Sequence, residues 1–419
     1  MTPERVDTLT MAKKQPRQPS LKVVVDAQEL RAALKAASVI ASFSGGKEEG
    51  TTEAFVPCLL TARKKLLIVE AADYGIYLKF KLPADVQKEG EASVSANLLA
   101  RCAGDSSFLL TVDPKTSTLL VKTKTTKYSI QQIPAAKESV VANRPDLKKN
   151  KVTEAITLPF ALLKQAVATV SFKPGLREEM LRIQLKVSKT KKEKVFELIG
   201  LDSYSFARIS ATGPDISITA SLDAVVKTNL LDNIAKQLLE KDERVTVGVL
   251  TDKTGRQHAL AFTAKSFVLY YPVLDVPIID LDKKLAGFLK KAKVTCSFHA
   301  SREYLLEGVA DLVAIKASAA SALIKFLVKK NRLVLSSDLS GNKAVTRLHC
   351  DNVKVAARAD TFYIHEGYLT NFLNLAPPES TLQVESCGKA YVQIKTLGLE
   401  SSSIEFLVAK ALPATQSPE

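Results

Sequence analysis

The chain has 419 residues with a formal net charge of +15 at pH 7, and 46% of its residues are apolar. It contains no run of 18 apolar residues and no signal-peptide pattern, so we expect neither membrane insertion nor secretion. A positive surplus of this size favours an anionic partner such as nucleic acid, with a purely solubilising role as the alternative.

Apolar residues at helical spacing predict six helices along the chain. In chain order these are the stretches 27–40, 95–105, 159–172, 227–241, 301–316 and 365–377. An alternating strand follows the second, fourth and sixth helix, as in "SFLLTVD", "RVTVGVLT" and "STLQVES". Between the two helices of each pair, an apolar strand stops at an aspartate and then resumes. These aspartates are Asp73, Asp202 and Asp338.

The succession of helix, strands, turn, strand, helix and strands occurs three times, with a period of about 130 residues. That period is the length of a whole domain and exceeds the roughly 20–50 residues of solenoid repeats. We therefore predict three similar domains, over residues 21–140, 151–282 and 293–412, each able to bury its own core. The charged stretches 135–151 and 281–293 are the predicted linkers. Residues 1–20 are predicted to be a disordered tail in which Met11 is an alternative start, and residues 413–419 a polar tail.

Residues suited to catalysis or metal binding are scattered. The five cysteines form no Cys-x-x-Cys pair and are predicted to be reduced thiols, mostly in cores, of a protein in a cytosolic compartment. Among the four histidines only His349 has a cysteine beside it, which falls short of a zinc-binding pattern. Neither GxxxxGK[ST] nor GxGxxG occurs, and the recurrence of the aspartates favours a role in turns. We expect no cofactor, no metal and no enzymatic activity.

Several motifs, in their order and spacing, carry a resemblance to a known family. They are "LKVVVDAQELRAALKAAS" at 21–38, "FVPCLL" at 55–60, "VSANLLARCAGD" at 94–105, "KYSIQQIPA" at 127–135, "ITLPFALLKQAVATVSF" at 156–172 and "IHEGYLTNFLNLAPPESTLQVESCGKAYVQI" at 364–394. From residue 21 to residue 412 the chain resembles the bacterial DNA polymerase III beta subunit, the sliding clamp, as a divergent or phage-encoded member.

The resemblance implies an α+β fold of three similar DNA-clamp domains, with two helices of each domain inside a ring and antiparallel sheets outside. Two chains would close the ring head to tail. The implied function is that of a processivity factor, a DNA sliding clamp that encircles double-stranded DNA without sequence specificity and tethers the replicative DNA polymerase. The implied partners are DNA, the polymerase, a clamp-loader ATPase and a second copy of the chain, with no membrane. The implied location is the cytoplasm of a bacterial or phage-infected cell.

In this family an apolar pocket between the second and third domains binds short peptides of polymerases and of the clamp loader. By position, the resemblance assigns to the pocket Asp202, Tyr204, Phe206, Ala207, Pro277, Ile279, Leu281, Leu407, Ala409 and Leu412. The chain departs from the family's Thr-Asp-Gly-His-Arg-Leu-Ala segment, because residues 201–207 read "LDSYSFA". Phe206 is expected to be a pocket wall and Tyr204 a rim residue.

The inner wall of such a ring is expected to carry basic side chains that meet phosphates loosely, which permits sliding. The candidate DNA-facing residues are Arg31, Lys35, Lys47, Arg101, Lys164, Lys173, Arg177, Lys227 and Lys236. For each of them a solvated outer charge is the alternative. The first helix of the third domain instead carries Glu303, Glu307 and Asp311, which argues against a uniformly basic lining.

Ring closure in the family pairs an edge strand of the first domain with an edge strand of the third. The matching positions of this dimer interface are Tyr128, Ile130 and Ile315. Lys316 stands where the family has an apolar neighbour, so a weakened and more easily opened ring is a hypothesis.

Two other functions stay open. The chain can be a clamp-like module without ring closure that serves as a nucleic-acid-binding or adaptor protein. It can also be an enzyme acting on nucleic acid, against which the lack of any convergent cluster of histidine, cysteine or carboxylate residues argues.

Overall fold

The computed structural model describes most of the chain between residues 21 and 411. The described ranges are 21–41, 56–73, 75–102, 106–113, 115–171, 182–190, 194–201, 205–237, 244–274, 293–314, 323–329, 332–339, 342–398 and 402–411. The predicted tails, residues 1–20 and 413–419, lie outside these ranges.

The described residues form seven helices. They are α1 (Ala27–Ala41), α2 (Ala96–Ala100), α3 (Pro134–Ala142), α4 (Phe160–Val170), α5 (Thr228–Gln237), α6 (Arg302–Ala314) and α7 (Glu366–Leu375). The six helices predicted from apolar spacing are confirmed, and α3 is an addition.

Helix α1 illustrates why apolar spacing was a sufficient signal. Leu30, Leu34 and Ala37 recur on one face at the helical period, and all three are almost completely buried. The Asp26 carboxylate accepts a hydrogen bond from the backbone N–H of Glu29 at 2.9 Å, which caps the first turn. The cap fixes where the helix begins, and the apolar face fixes which side packs against the sheet.

The described residues also form 26 strands. In chain order they are β1 (Lys22–Asp26), β2 (Pro57–Arg63), β3 (Leu66–Asp73), β4 (Ile76–Lys88), β5 (Gly90–Ser95), β6 (Ser107–Asp113), β7 (Thr118–Lys122), β8 (Lys127–Gln131), β9 (Lys151–Pro159), β10 (Arg182–Lys189), β11 (Lys194–Leu201), β12 (Ser205–Ala211), β13 (Ser217–Ile218), β14 (Leu222–Lys227), β15 (Arg244–Thr251), β16 (Gln257–Thr263), β17 (Phe267–Pro272), β18 (Val294–Ser301), β19 (Leu323–Lys329), β20 (Arg332–Leu339), β21 (Asn342–Leu348), β22 (Asp351–Val355), β23 (Ala359–His365), β24 (Thr381–Cys387), β25 (Tyr391–Leu397) and β26 (Ser402–Ala409). They form antiparallel sheets of 13, nine and four strands.

The 13-stranded sheet joins strands of the first and second repeats. Its order is β13-β9-β15-β16-β17-β4-β1-β6-β7-β8, and β3, β2 and β5 continue from β4. At the junction β17 pairs with β4, so that Phe267 lies opposite Phe80 and Tyr270 opposite Tyr77. We call this pairing the first junction.

The nine-stranded sheet joins strands of the second and third repeats. Its order is β14-β10-β11-β12-β26-β25-β24-β18-β22. At this second junction β12 pairs with β26, and Phe206 lies directly opposite Leu407. The four-stranded sheet has the order β21-β20-β19-β23.

Six of the helices cover one face of these sheets. Helix α1 packs against α2 and α5, α4 packs against α5 and α7, and α6 packs against α7. The main core lies between this helix layer and the sheets, and its largest side chains include Phe108, Phe196 and Phe298. Because side chains alternate between the two faces of a strand, the intervening residues lie on the opposite face.

That opposite face carries two small apolar clusters, one at each junction. The cluster at the first junction contains Ala72, Tyr77, Leu250, Ala259, Ala261 and Tyr270. The cluster at the second junction contains Ile199, Phe206 and Leu407. Both clusters are separate from the main core, because the sheet lies between them and it.

Helix α3 occupies the first half of the stretch that we expected to be a linker. Pro134 lies in its first turn, where a missing N–H is tolerated. The helix packs against β2, β3 and β5, but among its described side chains only Val140 is fully buried and most of the others are exposed. Such a helix shows little apolar periodicity, which is why the sequence pattern missed it.

Two of the three recurring aspartates lie where β-hairpins turn. Asp73 ends β3 opposite Ile76, and the intervening Gly75 has a φ of 78°, a conformation that favours glycine. Asp338 lies near the end of β20, opposite Lys343. These positions agree with the turn interpretation, whereas Asp202 lies outside the described residues.

Helix α4 lies so close to strand β11 that no side chain fits between them at Gly200. A Cβ atom there would lie 2.2 Å from the backbone oxygen of Val170, the last residue of α4. We expect Gly200→Ala to lower the free energy of unfolding by about 1–3 kcal/mol, because the helix must move off the strand. Urea unfolding followed by circular dichroism measures the change.

Gly367→Ala is the matched control, since a Cβ atom at this position in α7 meets no atom within 4 Å. It should leave stability unchanged or raise it by up to about 1 kcal/mol, owing to the better helix propensity of alanine. Equal unfolding midpoints for the two variants would contradict the close packing of α4 on β11.

Candidate functional site

Six of the nine candidate DNA-facing residues lie within the described ranges. They are Arg31, Lys35, Arg101, Lys164, Lys227 and Lys236. All six are on helices α1, α4 and α5 or directly flank α2 and α5. The structure therefore brings them to the helix layer, as the inner-wall expectation requires. Lys47, Lys173 and Arg177 lie outside the described residues.

These six residues differ in how far they are available to a partner. The Arg31 guanidinium lies 5.4 Å from the ring centroid of Phe108, a cation–π contact, and Lys164 packs likewise over an aromatic ring of its own helix. Lys236 forms an ion pair with Asp232 at 2.6 Å. The remaining three side chains are exposed. They are Lys35, Arg101 and Lys227.

Helix α6 presents the opposite charge. Glu303, Glu307 and Asp311 recur every four residues, which places them on one helix face, and all three are exposed. The helix layer is therefore basic in the first and second repeats and acidic at α6 in the third.

The predicted pocket residues are only partly described. Phe206 and Leu407 are 4% and 6% exposed and meet across the second junction, with Ala409 on the same face of β26. Ala207 points the other way, into the main core, because neighbouring residues of a strand lie on opposite faces. Of the four described pocket residues, Phe206, Leu407 and Ala409 therefore lie together on one face, whereas Ala207 does not join them. Asp202, Tyr204, Pro277, Ile279, Leu281 and Leu412 lie outside the described residues.

Two further residues belong to this surface and were missed by sequence reasoning. Ile199 is buried beside Phe206 and Leu407, and the half-buried Tyr391 packs against them. Alternation along β11 is a sequence signal for the face of Ile199. Tyr391 depends on the register of β25 with β26, where it lies opposite Ala409, and no local pattern reveals that register.

A row of ion pairs lies beside the apolar cluster at the second junction. Arg208 bridges Glu197 and Glu405, at 3.5 Å to each carboxylate. Its guanidinium also lies 5.5 Å from the ring centroid of Phe206. Lys186 and Lys395 add ion pairs at 3.6 Å to Glu197 and Glu405 respectively. The surface therefore combines a small apolar patch with a charged border of three cations and two carboxylates.

The predicted interface residues Tyr128 and Ile130 lie on β8, the outermost strand of the 13-stranded sheet. Ile130 is buried in the main core and Tyr128 packs against it, so both side chains face inward. What β8 offers to a partner is its backbone edge and the exposed Lys127, Ser129 and Gln131. Ile315 lies outside the described residues.

Strand β21 is a second outer edge, at the end of the four-stranded sheet. Val345 on this strand is 63% exposed, and its neighbours Lys343 and Arg347 are also exposed. An exposed apolar residue on an unpaired strand edge is a feature that a further strand would cover.

The described residues contain no group of three or more histidine, cysteine, aspartate or glutamate side chains placed to hold a metal ion. All five cysteines are buried and form no disulfide. Burial raises the pKa of Cys58 and of Cys296 to about 12, with smaller contributions from Glu70 and Asp360. No helix in the described ranges has the length and apolar character needed to cross a membrane.

No protein-family model and no curated protein sequence matches the chain. Solved structures match it closely in fold. The DNA polymerase III beta subunit of Thermotoga maritima is 14% identical with a TM-score of 0.70, over 94% of this chain and 100% of that one. The DNA polymerase sliding clamp of Bacillus subtilis is 14% identical with a TM-score of 0.71, over 94% and 99%. The Helicobacter pylori beta clamp, in complex with carprofen, is 17% identical with a TM-score of 0.67, over 94% and 100%.

The chain therefore has the fold of the bacterial sliding clamps, over nearly its full length. The resemblance inferred from the motifs is confirmed at the level of the fold, as is the α+β class with helices on one side of antiparallel sheets. Because the sequence identity is only 12–17%, this likeness defines architecture and not activity.

The buried cysteines generate a prediction about the reactivity of their thiols. With their pKa values raised by burial, the thiols of Cys58 and Cys296 remain protonated at pH 8 and are poor nucleophiles. We expect the native protein to react with Ellman's reagent far more slowly than the guanidinium-unfolded protein, in which all five thiols react. A native thiol that reacts at the unfolded rate would contradict this reading.

Proposed function

We propose that the protein is a DNA sliding clamp, a non-enzymatic processivity factor that encircles duplex DNA and tethers the replicative polymerase. One observation carries the proposal: the whole clamp architecture, and not a single domain of it, matches over 94% of this chain and 100% of the Thermotoga maritima beta subunit. A chain of this kind would act at replicating DNA in the cytoplasm of a bacterial or phage-infected cell. A clamp-loader ATPase would place it on DNA.

Contact with DNA would be made by the helix layer. Lys35, Arg101 and Lys227 are exposed there, and basic side chains that meet phosphates without reading bases allow a protein to slide. Helix α6 would make no contact with the phosphates, because its exposed face is acidic. The contacts would therefore be concentrated on the first two repeats of each chain.

Ring closure would join β8 of one chain to β21 of a second copy by adding one strand edge to the other. The pairing would use the backbone groups of β8 and would cover the exposed Val345. Lys127 on β8 and Lys343 and Arg347 on β21 carry the same sign of charge. Their repulsion supports the hypothesis of a ring that opens more easily, and salt should strengthen such a ring by screening.

Partner peptides would dock at the second junction, where Phe206, Leu407 and Tyr391 form the apolar cluster. The adjoining ion pairs of Arg208 would hold the sheet surface in place and supply polar contacts at the rim. Interfaces of this kind depend on a few apolar anchors.

The second candidate is a clamp-like adaptor that binds nucleic acid without closing a ring. The acidic face of α6 favours it, because one of the six helices of the layer would repel phosphates. Topological retention on DNA separates the two candidates.

The deciding experiment measures molar mass by light scattering from nanomolar to micromolar concentration, and then retention on nicked circular and linearised DNA. A sliding clamp gives a dimer of about twice 45.5 kDa that stays on the circle and leaves the linear form. A monomer that binds both DNA forms equally would replace this proposal with the adaptor.

The partner surface is tested by Phe206→Ser, with the milder Tyr391→Ala as a second variant. In primer extension by the replicative polymerase and loader from the same source, we expect processive synthesis to need about tenfold more clamp or more. More clamp is needed because each substitution removes an apolar side chain that would anchor the polymerase peptide. The readout is product length at increasing clamp concentration.

Val141→Ser is the control, because Val141 is 45% exposed on α3 and far from this cluster in the fold. All three variants should remain on nicked circular DNA as the wild type does, which separates loss of tethering from loss of the ring. Normal extension by both cluster variants would exclude the second junction as the docking surface.

A further inference from the structure

The sheet face opposite the helix layer contains an open groove beside the first junction. Its volume is about 670 Å³, and it is lined by residues of β2, β3, β4 and β17 together with the segment that follows α3. We call it the first-junction groove. It lies on a different sheet from the Phe206 cluster, so it goes beyond the proposed function.

The floor of the groove is the buried carboxylate of Glu70, and both of its oxygens accept hydrogen bonds. Glu70 is 4% exposed, and its Oε1 accepts a hydrogen bond from the hydroxyl of Tyr77. Its Oε2 accepts one from Nη2 of Arg144 at 2.6 Å. Burial and the Glu70 carboxylate raise the pKa of Tyr77 well above its ordinary value, so this hydroxyl remains a donor. The Arg144 contact also ties the segment after α3 to the sheet and so shapes the groove.

Because Glu70 is satisfied in this way, three nearby cations have no ion-pair partner among the described residues. Lys79 lies directly opposite Glu70 across β3 and β4, and Lys81 lies opposite Ile68. Within the described part of the chain neither lysine forms an ion pair, and Arg63 at the end of the groove forms none either. These three side chains are charges that a ligand can neutralise.

The two other carboxylates of the groove, Glu89 and Glu91, already have partners within the protein. Glu91 forms an ion pair with Lys137 at 2.5 Å, and Glu89 accepts a hydrogen bond from the backbone N–H of Lys64 at 2.8 Å. The lining holds four cations, Arg63, Lys79, Lys81 and Arg144, against three carboxylates, Glu70, Glu89 and Glu91, so the net charge of the groove is positive.

Apolar surface adjoins these cations. Leu147, from the segment after α3, is 59% exposed and lines the groove. Val268 and Tyr270 of β17 line the same groove. Tyr270 packs against Tyr77 with ring centroids 6.1 Å apart, which gives the groove a rigid aromatic side.

We propose that the first-junction groove binds an extended peptide segment of a partner protein in which acidic and apolar residues alternate. Carboxylates of the peptide pair with Lys79, Lys81 and Arg63, and its apolar side chains cover Leu147 and Val268. Alternation suits the site, because successive side chains of an extended peptide point to opposite sides. A nucleic acid fits less well, since its charged backbone would pair with the cations but leave the apolar surface of Leu147 and Val268 uncovered.

The test uses fluorescence anisotropy with a fluorescein-labelled peptide of eight alternating aspartate and leucine residues. The wild type should bind it saturably, and Lys79→Ala/Lys81→Ala should weaken binding about tenfold through loss of two charge-assisted contacts. Leu147→Ser should weaken it as well. A lysine–leucine peptide of the same length should not bind, and neither should a labelled ten-nucleotide oligo-dT.

The control is Lys22→Ala/Lys122→Ala, which removes two exposed strand lysines outside the groove. It should bind as the wild type does, and so should Phe206→Ser, whose defect belongs to the second junction. The proposal is overturned if the peptide fails to saturate the protein below about 1 mM. The proposal is also overturned if Lys79→Ala/Lys81→Ala and Lys22→Ala/Lys122→Ala bind the peptide with equal affinity. Binding of oligo-dT that is lost in Lys79→Ala/Lys81→Ala would overturn it as well.

Discussion

Antiparallel pairing between strands of neighbouring repeats is the interaction on which the rest of the structure depends. The pairs β4–β17 and β12–β26 carry each sheet across a repeat boundary through backbone hydrogen bonds. The register of each pair then decides which side chains face the helix layer and which face outward. A shift of one residue would send Phe206 into the core and Ala207 to the surface. The apolar clusters at both junctions are thus consequences of register.

The two sides of the sheets differ in how their charges are used. On the helix side the exposed Lys35, Arg101 and Lys227 stand on or beside helices that carry few acids, which suits a loose and diffusible contact with phosphates. On the outer side Arg208, Lys186 and Lys395 form ion pairs with Glu197 and Glu405. Paired charge next to an apolar patch suits recognition of a defined partner, because mismatched groups are then costly to bury.

Local patterns accounted for the elements with strong periodicity. The six helices with an apolar face were predictable because burial of that face is what makes them helical, as Leu30 and Leu34 of α1 illustrate. Helix α3 was not, because most of its described side chains are exposed and Val140 is the one among them that is fully buried. The candidate site followed the same rule. That Phe206 and Leu407 lie together at a junction was predictable from the resemblance, whereas the position of Tyr391 depends on a strand register that no local pattern encodes.

By itself the sequence determined the order of the six helices with an apolar face, the threefold repeat of the pattern and the likeness to the sliding clamps, since all three are carried by local periodicity and the spacing of motifs. Only the tertiary structure decided which face each strand residue occupies at the junctions, and hence that Ala207 belongs to the core. It also decided that Glu70, Tyr77 and Arg144 meet, although 74 residues separate the first from the last. Contacts between residues so far apart in the chain depend on strand pairing and chain closure, and their energies appear only once the sheets have formed.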